Sequence, residues 1–273
     1  MSIKGGGSMR FSILGESATI KDDLGRDVLP ETRRRQHLVR SLVCVLAYQD
    51  WALSARQLKP LIWRDADSRN LTSNLTSLIY DARRLIPRDR LISTLGRDGT
   101  TRYHLDRRAG DEVDVELFRA AFTLGRQARD AGDLHTAASS YSRALLLWSS
   151  DEAGVSLGDF PKTPIMLKNR ENLLSQRRQA SEAYIEVRLA LGHHIADLAD
   201  EIHGLIQTQQ TNTRLHHLRI LSLYRAGRRG EALLAYEDAV KMFERLPPTS
   251  LGHDLDRLRE RIVNDDPRLL HEG

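Results

Sequence analysis

Apolar positions in the first third of the chain come in short runs separated by turn chemistry. Arg10–Ile20 alternates in part, with Phe11, Ile13 and Ile20 apolar; Asp22-Asp23-Leu24-Gly25 then gives a turn, and Val28-Leu29 resumes a strand. This predicts a small antiparallel sheet over Met9–Leu29, closed by Pro30. The period then changes. Leu38, Leu42, Val45 and Leu46 share one face of a helix predicted over Arg33–Tyr48. Ser54 and Gln57 form a capping box for a second helix, Ala55–Trp63, with Leu58, Leu61 and Ile62 inward. A polar turn covers Arg64–Ser68. A third helix, Asn70–Ile86, carries Leu71, Leu75, Leu78, Ile79, Ala82 and Leu85 as a buried stripe. After Pro87, Leu91–Thr94 and Thr101–Leu105 flank Gly96-Arg97-Asp98-Gly99, a hairpin signal. Helices followed by a basic hairpin in this order make a winged helix.

From Asp111 onward the β pattern all but disappears. Gly132, Ala137, Tyr141 and Ala144 follow a spacing that Gly227, Ala232, Tyr236 and Ala239 repeat. Gly192 opens a weaker copy, with Leu198 at the inward position. The glycine permits a tight turn and the alanines let paired helices approach, as in tetratricopeptide hairpins. Helices are predicted over Val115–Arg129, over Leu167–Leu191 with Leu173, Leu174, Tyr184, Val187 and Leu191 inward, and near Leu255–Val263. Ser150–Pro164 is the expected long loop, and Pro247-Pro248 precedes the terminal helix.

Charge divides the chain. Met9–Gly110 holds 19 Lys/Arg against 12 Asp/Glu, +7, whereas Asp111–Gly273 holds 21 against 25, −4. A basic first half suggests nucleic acid as its partner. The lead Met1–Ser8, rich in Gly and Ser, reads as an expression scar outside the fold. Nothing after it resembles a signal peptide, and the longest apolar run, Leu42–Ala47, is too short to span a bilayer. The single cysteine, Cys44, lies in that run as a small buried hydrophobe, which fits a reducing cytoplasm. No membrane partner is expected.

The third predicted helix carries the most informative surface. Opposite its apolar stripe stand Thr72, Ser73, Thr76, Ser77, Tyr80, Arg83 and Arg84. Short hydroxyls let a helix approach a groove, and arginines suit phosphate or guanine. A packing face of small residues explains the same pattern equally well. Arg33, Arg34 and Arg35 sit at a helix N-terminus, against its dipole, a cost that phosphate contacts would offset. Arg97 and Arg102 lie on the hairpin, where a wing meets backbone or minor groove.

Catalytic readings find little support. Neighbours in His193-His194 and His216-His217 point about 100° apart on a helix and do not readily share one ion, so solvated or capping roles are expected and no metal. Trp63 and Trp148 read as core. No Ser/His/Asp order or activated thiol is visible, so the chain reads as a non-enzyme without a cofactor.

At this point the residues carry a resemblance. Phe11-Ser-Ile-Leu-Gly15, Ser54 with Leu58 and Trp63, Asn74-Leu75, Arg83-Arg84, Tyr103-His-Leu105, Asp111-Glu-Val-Asp114 through Phe118, Leu223-Tyr-Arg-Ala-Gly227, Glu231-Ala232 and Asp266-Pro267 with Leu269 form an ordered series. The chain thereby resembles the short form of the Streptomyces antibiotic regulatory protein family. The resemblance implies an α+β winged helix of response-regulator type over residues 9–110. It also implies an all-α, tetratricopeptide-like bacterial transcriptional activation domain over residues 111–273. It implies an activator that binds double-stranded promoter DNA at tandem direct repeats near the −35 element, as two protomers side by side. Recruitment of RNA polymerase holoenzyme through the sigma factor's C-terminal region follows, for a secondary-metabolite cluster. By analogy with response-regulator winged helices, Arg64, Asp65, Asp67 and Arg69 would face polymerase. Asp81 departs from the basic residue common at its place, and neither a phosphate-binding Gly-rich Lys-Ser/Thr loop nor a receiver domain is seen. A helical adaptor whose winged helix binds protein, or a repressor, would use the same elements.

Overall fold

The computed structural model describes residues 7–29, 36–64, 71–87, 89–148, 157–192, 194–245 and 253–270. Two compact units emerge: Met1–Ala121 with Arg143–Arg177, and Phe122–Ser142 with Arg178–Gly273.

In the first unit, β1 (Arg10–Ser12) pairs antiparallel with β2 (Thr19–Lys21). The expected third strand at Val28-Leu29 does not form. Only a bridge from Lys21 to Asp27 is made, and the Asp27 carboxylate caps the amides of Ile20 and Leu29. The third strand comes instead from β6 (Glu112–Val113), parallel to β1. The segment that reads as a junction thus closes this sheet. Asp111 accepts from the Met9 amide at 2.7 Å, and Asp114 accepts from Ile13 and Leu14 at 2.7 and 2.8 Å. The end of the lead takes part as well, since the Gly7 carbonyl accepts from Arg90 at 2.7 Å.

Between β2 and the hairpin of this unit lie α1 (Gln36–Gln49), α2 (Ala55–Ile62) and α3 (Leu71–Leu85). The Ser54–Gln57 capping box forms as its residue types require, and Trp63, expected as core, caps α2 half-buried. The hairpin is β4 (Leu91–Leu95) and β5 (Thr101–Leu105). A short β3 (Leu53–Ser54) joins it, in the order β3-β5-β4. Leu42, Leu58, Leu75, Ile79 and Ala82 are buried beneath the helices. Leu85 is half-buried, and Ile86 takes the inward place assigned to it. Helices at this position with a two-sided hairpin behind them make a winged helix.

The segment after Leu157 is built into this unit rather than looping away from it. Leu157 donates to the Gly15 carbonyl at 2.8 Å, Asp159 accepts from Ala18 at 2.9 Å, and Phe160 meets Tyr48 edge-on at 5.5 Å between centroids. A methyl group on Gly158 would lie 2.0 Å from the Glu16 carbonyl oxygen, so the backbone there would have to shift. Gly158→Ala is therefore expected to cost about 1–3 kcal/mol, read as a lower urea midpoint with an unchanged slope.

The remaining helices are α4 (Asp114–Asp130), α5 (Leu134–Leu146), α6 (Pro164–Leu191), α7 (Ile195–Thr208), α8 (Thr213–Arg225), α9 (Arg229–Glu244) and α10 (His253–Val263), with a 3₁₀ turn at Pro267–Leu270. Gly132, Gly192 and Gly227 end α4, α6 and α8 at φ of 80°, 72° and 76°. That left-handed conformation suits glycine, and it lets the next amides turn back: Arg228 donates to the Leu223 carbonyl and Asp133 to that of Ala128. The weaker copy at Gly192 shares the left-handed glycine, and His194 beyond it is left-handed too, at φ 51°. Ala137, Tyr141, Ala144, Ala232 and Ala239 are buried, as the repeat requires. On α6, Leu173 and Val187 are buried, but Leu174, Tyr184 and Leu191 are half-buried, and Ile185 and Leu189 fill the inward positions. Apolar side chains on both flanks of this 28-residue helix blur its stripe.

Candidate nucleic-acid interface

Packing of α3 against α1 and α2 fixes which side faces outward. Leu75, Leu78, Ile79 and Ala82 point in, so residues offset by about half a turn point out. Thr76, Ser77 and Arg84 are exposed, and Tyr80 is 62% exposed. Thr72 and Ser73 belong to the first turn of α3, and their side chains lie outside the described residues. An aromatic ring held in solvent among short hydroxyls leaves the face accessible to a groove.

Arg83 does not share that outward position. It is half-buried, its Nε donates to the Leu91 carbonyl at 3.3 Å, and its Nη2 donates to the Ser93 hydroxyl. Its guanidinium therefore ties the helix to β4. Periodicity puts Arg83 on the hydroxyl face, but a side chain this long reaches sideways to a strand that comes 8–10 residues later.

The hairpin brings a second charged group. Its turn is closed by Gly96 donating to Thr100 and Gly99 donating to Gly96, with Gly99 at φ 72°. Arg97 is exposed at the tip and makes no ion pair among the described residues. Arg102 is held by both Asp98 oxygens, at 3.0 and 2.7 Å. That hydrogen bonding raises the guanidinium's already high pKa and holds the Asp98 carboxyl well below the usual range. Arg102 thus meets a phosphate only by leaving Asp98, whereas Arg97 is available at once.

Arg33, Arg34, Arg35, Asp65, Asp67 and Arg69 lie outside the described residues. Arg64 is exposed and donates to the Lys162 carbonyl at 3.4 Å. Among the described residues no group of three or more His, Cys, Asp or Glu is placed to hold a metal ion. His216, expected to be solvated or capping, is buried instead: it meets the Gln210 carbonyl at 2.9 Å and packs edge-on to Phe243. Burial pushes His216 and His217 below the usual imidazole pKa. Among the described residues no helix is long and apolar enough to cross a membrane.

Comparison with known proteins adds to this geometry. A family model described as bacterial transcriptional activator domain matches residues 113–263. The regulatory protein AfsR of Streptomyces coelicolor is 27% identical over 267 residues, 96% of this chain and 25% of that protein. The regulatory protein DnrI of Streptomyces peucetius is 27% identical over 166 residues, 59% of this chain and 57% of its own. The chain spans about a quarter of the length of AfsR. Among solved structures, Mycobacterium tuberculosis EmbR in complex with a low affinity phosphopeptide superposes with a TM-score of 0.79 at 22% identity, covering 96% of this chain and 66% of that one. That likeness shows the fold, a winged helix followed by tetratricopeptide-like helices.

Proposed function

The chain belongs to the bacterial transcriptional activator domain family, as one of the Streptomyces antibiotic regulatory proteins, and on that premise we propose that it is a sequence-specific DNA-binding activator. The family is one of transcriptional regulators. The observation that carries the finer reading is the outward face of α3, with Thr76, Ser77, Tyr80 and Arg84 in solvent and Arg97 on the neighbouring hairpin.

In this reading α3 enters the major groove. Thr72, Ser73, Thr76, Ser77 and Tyr80 contact base edges and phosphates, and Arg84 pairs with a guanine or a phosphate. Arg97 meets the backbone beside the site, and Arg102 joins it when the duplex competes with Asp98. Arg33, Arg34 and Arg35, which precede α1 in the sequence, anchor phosphates. Arg83 acts at one remove, by holding β4 against the helix. Two protomers occupy tandem direct repeats near the −35 element. The segment of Arg64, Asp65, Asp67 and Arg69 turns toward polymerase, which is recruited through the sigma factor's C-terminal region. The promoters served are those of a secondary-metabolite cluster, and the work is done in the cytoplasm.

Titration of a cognate direct-repeat duplex at several salt concentrations tests this. Arg84→Ala is expected to weaken binding by about 1–3 kcal/mol if it reads a base. Arg97→Ala is expected to lower the salt slope by about one. Binding with neither steep salt dependence nor sequence preference would leave a protein-binding adaptor instead. In vitro transcription with purified polymerase separates an activator from a repressor.

A further inference from the structure

Tyr141 and Tyr236 hold the same place in two copies of the helical repeat, and only one of them is satisfied. The Tyr236 hydroxyl donates to the Asp256 carboxylate at 2.6 Å, and the Arg259 guanidinium lies 5.6 Å from its ring centroid. The Tyr141 side chain is fully buried, and its hydroxyl has no hydrogen-bond partner. A buried hydroxyl left unpaired costs free energy that a native core rarely leaves unrecovered.

This tyrosine lines a cavity of about 220 Å³ formed by α4, α5 and α6 within the second unit. Arg126 and Arg129 come from α4, and Gln179, Glu182 and Glu186 from α6, with Phe122 as an apolar wall. The ring reaches its place only because residue 125 is glycine: a Cβ there would stand 2.7 Å from two ring carbons. Charges on the α6 wall are held in position from α8. Glu182 accepts from the Asn212 side chain at 2.7 Å, and Glu186 pairs with Arg214 at 2.7 Å and with Arg129 at 3.9 Å. Arg126 is exposed, with no ion pair among the described residues. Two donors of the lining, Tyr141 and Arg126, are thus without a partner among the described residues, and of the two carboxylates only Glu182 lacks a cationic one.

We propose that this cavity binds a small zwitterion, whose carboxylate accepts from the Tyr141 hydroxyl and pairs with Arg126 while its ammonium end faces Glu182 and Glu186. The ligand's carboxylate takes the part that Asp256 plays for Tyr236, and its amine balances Glu182, whose side-chain partner Asn212 is neutral. Amino-acid dimensions suit the volume. The site would give the helical unit a small-molecule input, and it does not depend on the DNA-binding reading, because its readout is binding to the protein alone.

Calorimetric titration of the full chain with glycine, L-leucine, 4-aminobutyrate and 6-aminohexanoate tests it, with butyrate and butylamine each lacking one charged end. At least one zwitterion is expected to bind about tenfold or more tightly than butyrate and butylamine. Tyr141→Phe, which keeps the ring against Gly125, and Arg126→Ala, at an exposed position, should each weaken it by about tenfold or more. No binding by any zwitterion up to tens of millimolar overturns the proposal. So does binding that both variants leave unchanged, or binding that butyrate alone matches.

Discussion

Arg90→Ala is expected to lower the unfolding free energy by about 3–5 kcal/mol, the usual cost of breaking a buried ion pair from one side. Arg90 is 1% exposed and both terminal nitrogens of its guanidinium are engaged. It pairs with Asp111 and donates to the Asp106 carbonyl at 3.2 Å and the Gly7 carbonyl at 2.7 Å. Removing it strands the Asp111 carboxylate in a site with almost no solvent. The amides of Met9 and Arg108, at 2.7 and 2.8 Å, still donate to that carboxylate, which favours the lower end of the range. Urea denaturation of both proteins measures the difference. A loss under about 1 kcal/mol would mean that those two amides suffice and that Arg90 is a spectator.

The second large effect is a pH dependence centred on Asp114. Burial pushes its carboxyl up to about 7, against the opposing pull of the amides of Leu14, Ile13 and Val115. Its Oδ1 atom is buried without a partner, so one oxygen is unsatisfied whenever the group is ionised. The folded protein holds this proton up to about pH 7, whereas the unfolded chain releases it near 3.8. Between those values the folded state binds more protons, so stability is greatest at the acid end and falls as pH rises through the window. The span corresponds to about 4 kcal/mol in all. Asp114→Asn keeps an oxygen for the Ile13 and Leu14 amides and cannot ionise. The stability difference, variant minus parent, is expected to grow in the variant's favour from pH 5 to pH 8, by about 2 kcal/mol or more. Parallel pH profiles for the two proteins would show that Asp114 does not titrate in this range.

What could be read from the residues depended on how far each one's partner lies along the chain. The α3 stripe was legible because Leu75, Leu78, Ile79 and Ala82 repeat with the helical period. The Ser54–Gln57 box and the Gly132, Gly192 and Gly227 turns were legible because their chemistry is complete within a few residues. Strand β6 was not, since two residues carry no period, and Glu112 and Val113 acquire meaning only beside Arg10 and Phe11. Neither was β3, whose Ser54 also caps a helix. At the candidate interface, Thr76, Ser77, Tyr80 and Arg84 could be placed by face alone. The engagement of Arg83 with Leu91 and Ser93 could not, because a helical wheel positions a Cβ and not the end of a long side chain. Tyr141 was visible only as a repeat residue. Its lack of an acceptor emerges when three helices are assembled around it.

Strand β1 has one neighbour a few residues ahead and another whose matching residues lie 102 positions away. On a translating ribosome its far edge must therefore wait, bare, while the winged-helix segment is made and until Glu112 and Val113 have left the exit tunnel. An unpaired edge is a template for the wrong partner during that interval. Closure then pays the loop entropy of a long intervening chain, which makes this small sheet a candidate for the slow step in maturation of the newborn protein.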